Sequence, residues 1–249
     1  MSDDVRIGGG DTATPCNLAR RVALLDSAVG LRDQRLLDAG CGAGEYVEAF
    51  AQRGADAFGV EFNTGKVRQY LVRHPGSRRV IQGDLVAVPF ANDSFDIIVL
   101  NEVLEHTPDQ MGALREMRRL LRKGGCLAVF CPNRLYPFET HGVLLRRSGR
   151  ALSPWVPLVP YIPLPLGRRW FTYPARNYWP RELAHVIAAG GFQIRVHRWL
   201  WQTFENISGR QPPWVARASP GLRKLSRLLE ECPVICRLGV TQVVLAVAP

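Results

Sequence analysis

Residues 36–46, LLDAGCGAGEY, constrain the fold of this chain more than any other segment. A short apolar run ends in Asp38, and Gly40, Gly42 and Gly44 follow at alternating positions. Glycine lets the backbone turn sharply and approach a ligand closely, and a helix that begins directly after such a turn presents free N–H groups. The segment therefore predicts a buried strand, a tight turn against a small ligand, and a helix.

This pattern differs from the dinucleotide-binding fingerprint G-x-G-x-x-G, because Glu45 occupies the position of the third glycine. A carboxylate at that position is unfavourable beside a pyrophosphate. Asp38, at the end of the strand, suits a positively charged amino group. The sequence therefore favours a ligand that carries a cationic amino group and no phosphate, over a structural turn with no ligand.

Strand and helix patterns alternate through the first half of the chain, which predicts a doubly wound parallel sheet. We predict strands over residues 35–39, 57–61, 79–82, 95–100 and 126–131, and helices over 16–29, 44–53, 64–73 and 109–121, with 123–125 as a turn. The alternation stops near residue 133. Beyond it, we predict helices over 142–147 and 180–189, strands over 192–200 and 239–248, and a mixture of loop and helix over 202–231.

Acidic residues follow the second and third predicted strands. Glu61 ends the second strand, 17 residues after Gly44, where a carboxylate can accept hydrogen bonds from both ribose hydroxyls. Asp84 follows the third strand, where it can accept a hydrogen bond from an adenine amino group. The alternatives are a solvated charge at a strand end for Glu61 and a turn-forming aspartate for Asp84.

Together these motifs resemble the class I S-adenosylmethionine-dependent methyltransferases, particularly the small-molecule branch that includes the ubiquinone and menaquinone biosynthesis methylases. The resemblance covers residues 35–132 and rests on LDAGCGAGEY, VEFN, GDLVAVPFANDSFDIIVLNEVLEH and LLRKGGCLAVFCPN. It implies a Rossmann-like seven-stranded α/β sheet with an antiparallel last strand, and S-adenosylmethionine as cofactor. The Pro-, Trp- and Arg-rich segment after the fifth strand is then expected to be a cap insertion.

The resemblance also implies a set of cofactor-binding residues. Asp38 and the glycine turn would hold the methionine part, Glu61 the ribose and Asp84 the adenine, with Asn101 beside the sulfonium. The full set is Asp38, Gly40, Cys41, Gly42, Gly44, Glu61, Phe62, Asp84, Leu85, Asn101 and Glu102.

Methyl transfer from a sulfonium is a direct displacement, so the protein mainly aligns the reactants, and a base is needed only where the nucleophile must lose a proton. His106 and His141 follow the fourth and fifth strands and are the candidate catalytic residues. For His106 a capping or packing role is the alternative. For His141 the alternative is a loop contact, or a hydrogen bond to the substrate without proton transfer. We expect Tyr136, Glu139, Trp170 and Tyr173 to contact the acceptor. The six cysteines form no C-x-x-C pair and no Cys/His ladder, so no metal site is predicted.

The positive charge of the chain is concentrated in one region. The formal net charge is +10, and residues 133–237 hold 16 basic and 5 acidic residues together with all six tryptophans. Three interpretations remain open: a lid over an amphipathic acceptor, a membrane-contact surface, or a packed cap with solvated arginines. Nucleic acid is disfavoured as a partner, because LNEVLEH replaces the Asn/Asp-Pro-Pro-aromatic motif of base amino-methylating enzymes.

We therefore expect a methyltransferase that acts on a small or lipid-linked amphipathic acceptor, at oxygen. An RNA methyltransferase and a non-catalytic cofactor-binding partner protein are the alternatives. The expected organisation is a single domain over residues 1–249, made of an N-terminal tail and helix (1–34), a cofactor-binding core (35–132), an acceptor cap with the sixth strand (133–237) and a final strand (238–249). No signal peptide is visible, which favours a cytoplasmic protein, with peripheral membrane contact left open.

Overall fold

The computed structural model describes residues 14–153, 156–205 and 213–249. The predicted N-terminal tail falls almost wholly outside the described residues, as does Trp155. The helices are α1 (Pro15–Val29), α2 (Glu45–Gln52), α3 (Thr64–Arg73), α4 (Gln110–Leu120), α5 (Leu164–Gly167), α6 (Pro180–Ala189) and α7 (Pro213–Glu231). The strands are β1 (Arg35–Ala39), β2 (Asp56–Glu61), β3 (Val80–Gln82), β4 (Phe95–Asn101), β5 (Leu121–Pro132), β6 (Leu144–Leu145), β7 (Phe171–Thr172), β8 (Gln193–Leu200) and β9 (Thr241–Val247).

Seven of these strands form one sheet in the order β3-β2-β1-β4-β5-β9-β8. The first five strands in that order pair in parallel, whereas β9 runs antiparallel to both β5 and β8. The predicted seven-stranded α/β sheet with an antiparallel last strand is therefore confirmed.

Both faces of the sheet are covered by helices. Neighbouring residues on a strand point to opposite faces, so Leu36 and Leu37 enter two separate apolar clusters. Leu114 of α4 and Ile187 of α6 pack in the cluster with Leu37, while α1, α2 and α3 pack in the cluster with Leu36. Near-continuous burial explains why these strands are apolar runs rather than alternating patterns.

The register of the parallel strands brings their carboxyl ends to one edge. Asp38 lies opposite Gly59 and Val99, and the following residues of the three strands end at the same level. Ligands bind at this edge of open α/β sheets. The fold therefore gathers the residues that follow β1, β2 and β4 into one region.

Two local predictions are wrong. Residues 142–147 form no helix, because Leu144–Leu145 pairs antiparallel with Phe171–Thr172, and Gly142 has a φ of +78° that ordinary helices do not use. Residues 123–125 are not a free turn but lie within β5. There, Gly124 N–H donates to the Ala248 carbonyl at 2.8 Å. In both places a distant strand supplies the partner that local sequence does not reveal.

Among the described residues, no helix combines the length and the apolar character needed to cross a membrane.

Candidate functional site

The turn between β1 and α2 requires its glycines. Gly40, Gly42 and Gly44 all have positive φ, at +90°, +58° and +84°. A Cβ at Gly40 would lie 2.6 Å from a methyl carbon of Val103, and one at Gly44 would lie 2.4 Å from the Tyr70 ring. At Gly42 the nearest atoms belong to the Lys66 side chain, 4.0 Å away. The turn is therefore packed at its two ends and open at its middle, where a ligand can approach the backbone.

Asp38 lies beneath this turn and is 1% exposed. Its Oδ1 has no hydrogen-bond partner among the described residues. Burial raises the pKa of Asp38 to about 8, and the charges of Glu61 and Glu45 add to the effect. A buried carboxylate with a free oxygen is a binding group for a cation, and the amino group of an amino acid fits that requirement.

Glu61 and Asp84 lie side by side at the next two strand ends. Glu61 accepts hydrogen bonds from the backbone N–H groups of Gly42 (2.9 Å) and Asn63 (2.8 Å), which orient its carboxylate beside the glycine turn. Gly83 N–H donates to the Glu61 carbonyl at 3.0 Å and holds Asp84 next to it. Asp84 and Phe62 are exposed and Leu85 is half-buried, so all three are accessible along this edge.

Arg21 of α1 is a site residue that was not predicted from the sequence. Arg21 donates hydrogen bonds to Asn101 Oδ1, to Glu102 Oε1 (2.7 Å) and to Thr241 Oγ1 (3.1 Å). One sequence pattern could have revealed it: Arg21 lies on the same helix face as Leu18 and Leu25, so its guanidinium points into the interior. Arg21 therefore fixes the end of β4.

Glu102 is held in an uncommon backbone conformation, with φ of +56°. Burial acts to raise the pKa of Glu102, but the Arg21 guanidinium and the neighbouring His141 together lower it to about 2. Glu102 is therefore ionised at neutral pH and is paired with Arg21.

The two candidate histidines are neighbours, although 35 residues separate them in sequence. The ring centroids of His106 and His141 are 5.3 Å apart. His106 Nδ1 is 3.3 Å from the Pro174 carbonyl oxygen, which can only accept, so Nδ1 carries the proton. Burial, helped by His141, lowers the pKa of His106 to about 4, so its imidazole is neutral at pH 7.

Glu105 completes this group and was also missed. His141 Nε2 is 3.6 Å from Glu105 Oε1 and 3.8 Å from Glu102 Oε2. Burial and the adjacent charge of Glu102 raise the pKa of Glu105 well above its usual range. Nothing in LNEVLEH distinguishes Glu105 from a solvated surface acid, so only the fold reveals its burial.

The four residues expected to contact the acceptor divide into two sets. Glu139 is buried beside the histidines, because it accepts from the His141 backbone N–H (3.1 Å) and from Asn177 Nδ2 (2.7 Å). The Tyr173 hydroxyl is buried without a hydrogen-bond partner among the described residues. Tyr136 is half-buried against Phe138, and Trp170 is 54% exposed on the surface.

A doubly wound sheet with an antiparallel last strand, a glycine turn and an unpartnered buried carboxylate at its edge defines a class I S-adenosylmethionine-dependent methyltransferase. A family model described as "Methyltransferase domain" matches residues 37–129. The chain belongs to the S-adenosylmethionine-dependent methyltransferases, and S-adenosylmethionine is its cofactor. Asp38 Oδ1, which has no partner among the described residues, fits the amino group of that cofactor.

Curated relatives agree with this family. The chain is 33% identical over 172 residues to a demethylmenaquinone methyltransferase of Roseiflexus castenholzii, covering 66% of this chain and 70% of the relative. It is 31% identical over 118 residues to a ubiquinone biosynthesis O-methyltransferase of Pseudomonas aeruginosa, covering 46% of this chain. The chain spans about half the length of that second relative, 51%.

Solved structures share the fold at low identity. An S-adenosylmethionine-dependent methyltransferase from Mesorhizobium loti has a TM-score of 0.58 at 18% identity, covering 90% of this chain and 95% of that chain. The PH0226 protein from Pyrococcus horikoshii OT3 has a TM-score of 0.60 at 12% identity, covering 99% of both chains.

Proposed function

We propose that this methyltransferase transfers its methyl group to an oxygen atom of a small or lipid-linked amphipathic acceptor. The observation that carries the proposal is the group formed by the half-buried His106 and His141 with Glu102 and the buried Glu105, which lies beside Asn101 and follows β4 and β5. A hydroxyl nucleophile must lose a proton before or during methyl transfer, and this group can take it.

The cofactor would lie along the edge of β1, β2 and β3. Asp38 would bind the amino group, the open middle of the glycine turn would face the methionine part, and Glu61 would accept from the ribose. Asp84 and Leu85 would contact the adenine, and Asn101 would lie beside the sulfonium. When bound, S-adenosylmethionine supplies a methyl group already activated on a cationic sulfur.

On the acceptor side, the two histidines have different tasks. His106 keeps a neutral imidazole whose protonated Nδ1 faces Pro174, so its Nε2 can accept a hydrogen bond from the acceptor hydroxyl. His141 Nε2 lies 3.8 Å from an oxygen of the ionised Glu102, whose negative charge would stabilise a positive charge on that ring. His141 is therefore the proposed proton acceptor, and its Nε2 is the atom that takes the proton.

Within the predicted acceptor cap (133–237), residues 133–179 between β5 and α6 are the part proposed to cover the acceptor. Arg134 joins the start of this segment to its middle, because its Nε donates to the Pro160 carbonyl (2.6 Å) and its Nη2 to the Ile162 carbonyl (2.8 Å). Its guanidinium carbon lies 5.2 Å from the centroid of the Trp179 ring. The relatives whose names are demethylmenaquinone and ubiquinone biosynthesis methyltransferase support an acceptor of quinone type with an apolar chain.

An RNA acceptor is the weaker candidate. Glu102, Glu105 and Glu139 surround the proposed acceptor position, and three buried carboxyl groups are unfavourable beside a phosphate backbone. A non-catalytic cofactor-binding role would leave the histidine pair without a task.

The experiment uses S-adenosylmethionine labelled in the methyl group. The full chain is incubated with the label and a cell extract, and the product is separated into organic-soluble, RNA and protein fractions. We expect label in the organic-soluble fraction, at an ether linkage stable to base, and no label with Asp38→Ala. Label confined to RNA would support the second candidate, and an N-methyl or C-methyl product would contradict transfer to oxygen.

A further inference from the structure

A second ligand-binding group lies within the acceptor side of the site. Glu105, His106 and His141 each offer one ligand atom, and the three atoms all lie within 4.8 Å of one another. We propose that these residues bind a divalent transition-metal ion that in turn holds the acceptor. Cysteine spacing gave no hint of this site, because its ligands are two histidines and a glutamate that meet only in the fold.

The carboxylate of Glu105 is the strongest indication of a cation. Its side chain is 0% exposed, and its Oε2 accepts from the Cys131 thiol at 3.6 Å. Its Oε1 has no hydrogen-bond partner among the described residues and faces His141 Nε2 at 3.6 Å. Arg21 already neutralises the neighbouring Glu102. A buried carboxylate without its own cation is costly, so Glu105 requires a proton, an imidazolium or a metal ion.

Both histidines are oriented by hydrogen bonds at the opposite ring nitrogen. His106 Nδ1–H donates to the Pro174 carbonyl (3.3 Å), and His141 Nδ1 lies 3.2 Å from Thr140 Oγ1. A metal-binding histidine characteristically has its other nitrogen held in this way by a carbonyl or a polar group. The arrangement leaves Nε2 of each ring as the atom that can coordinate.

The separation between Glu105 and His141 suits a small divalent ion. At metal–ligand bonds of about 2.0–2.1 Å, neighbouring donors of a tetrahedral site lie about 3.4 Å apart, close to the 3.6 Å between Glu105 Oε1 and His141 Nε2. Two imidazoles and one carboxylate favour Zn²⁺, Mn²⁺ or Co²⁺ over Mg²⁺, which prefers oxygen ligands. Three protein donors leave open positions for ligands from the acceptor.

The class of acceptor follows from those open positions, and this step rests on the proposed function. A molecule with two adjacent oxygens, such as a catechol, would chelate the ion through both. Only the transfer to oxygen carries over from the proposed function: with the ion bound, the Nε2 atoms of both histidines are occupied, so the bound hydroxyl loses its proton to solvent and not to His141. The resulting oxygen forms the new O–C bond as the S–C bond of the sulfonium breaks, and S-adenosylhomocysteine leaves neutral at sulfur.

The test begins with metal binding alone. The tag-free full chain is stripped with EDTA, transferred to metal-free buffer and titrated with CoCl₂ by calorimetry and visible absorption. We expect one Co²⁺ per chain, with visible bands of nitrogen and oxygen ligands and no thiolate charge-transfer band. Glu105→Gln and His141→Gln should each weaken binding at least about tenfold, while His185→Gln, an exposed helix residue, should leave it unchanged.

Unchanged S-adenosylhomocysteine affinity in the variants shows that they are folded. The site is contradicted if no saturable binding occurs, if binding survives both substitutions, or if a thiolate band appears. In the second arm, catechol should bind at least about tenfold tighter to the Co²⁺-loaded protein than to the stripped protein. Equal catechol affinity would overturn the acceptor class alone. Failure of labelled methyl to reach any oxygen would overturn the proposed function without changing the Co²⁺ titration.

Discussion

Arg21 of α1 donates a hydrogen bond to Glu102 Oε1 at 2.7 Å, and the two side chains are only 5% and 9% exposed. The pair joins an N-terminal helix to the loop after β4, across 81 residues of sequence. Because Arg21 also donates to Asn101 Oδ1, one guanidinium orients both residues that border the proposed sulfonium position.

Loss of the Arg21–Glu102 pair should strongly destabilise the folded protein. Arg21→Met leaves the Glu102 carboxylate buried without its guanidinium partner, with the Thr241 hydroxyl still donating to it, so we expect a loss of about 3–5 kcal/mol in the free energy of unfolding. Urea unfolding measures it. Arg53→Met, which breaks the more exposed Arg53–Asp26 pair, should cost at most about 1 kcal/mol. The double variant Arg21→Met/Glu102→Gln should regain part of the loss. Equal costs for the two single variants would contradict a buried, coupled pair.

Cofactor affinity should depend on pH through Asp38. Its pKa is raised to about 8 in the folded protein, so the carboxyl is protonated below that pH and must lose the proton to bind a cationic amino group. We expect the affinity for S-adenosylhomocysteine to fall by up to about tenfold per pH unit from pH 8 to pH 6. Calorimetry measures it.

The matched variant is Asp38→Asn, which should bind weakly and without that slope. The effect of Asp38 on the pH dependence of stability is opposite to that of an acid in an ion pair. Between the unfolded pKa of about 3.9 and about 8, the folded protein retains a proton that the unfolded chain releases, so Asp38 lowers the stability of the free protein as pH rises. A pH-independent affinity would contradict the role assigned to Asp38.

The parallel sheet was predictable because each strand is a short apolar run separated by a helix pattern, and both signals are local. Asp38 and Glu61 were predictable for the same reason, since the residues after parallel strands meet at one edge. Leu144–Leu145 was not predictable, because its strand depends on partners 26 and 28 residues away. Arg21 and Glu105 were missed because a charged residue is ordinarily solvated, and only the packing of α1 and of the turn after β4 buries them.

The packing of the glycine turn predicts unequal effects of two similar substitutions. Gly44→Ala and Gly76→Ala both place a side chain at positive φ, +84° and +78°, which costs about 1–3 kcal/mol. A Cβ at Gly76 meets no atom within 4 Å, whereas at Gly44 it lies 2.4 Å from the buried Tyr70 ring. We expect Gly44→Ala to lower the free energy of unfolding by a further amount of about 1–3 kcal/mol, because the added methyl group overpacks the site. Thermal unfolding of both variants measures the difference, and equal losses would contradict the clash.

The histidine pair should affect turnover and not cofactor binding. His141→Gln and His106→Gln should each lower kcat at least about 100-fold. The S-adenosylhomocysteine Kd should stay within about twofold of the parent, because neither histidine belongs to the predicted cofactor-binding residues. His185→Gln is the control, since His185 is exposed on α6. Single-turnover kinetics with the labelled cofactor measures the chemical step. Full turnover in both variants would exclude the pair from the reaction.

The exposed apolar surface of the acceptor cap leads to the last prediction. Leu144, Leu166 and Trp170 are 39%, 42% and 54% exposed, and they lie among five exposed arginines, Arg146, Arg147, Arg150, Arg168 and Arg169. The β6–β7 pairing and the hydrogen bond from Arg146 N–H to the Trp170 carbonyl (2.8 Å) join these segments. A tryptophan surrounded by arginines suits the headgroup region of an anionic membrane.

We therefore expect the chain to co-sediment with phosphatidylglycerol vesicles and to release from them as salt rises, because the arginine contribution is screened. Trp170→Ser should weaken binding at least about threefold, since it removes the largest apolar group of this surface. Trp214→Ser is the matched control, because Trp214 is 63% exposed on α7, outside residues 133–179. Equal losses in the two variants would mean that the protein does not contact the membrane through the cap. An absence of binding to anionic vesicles would mean that the arginines are solvated charges, and a lipid-linked acceptor would have to leave the membrane to reach the histidine pair.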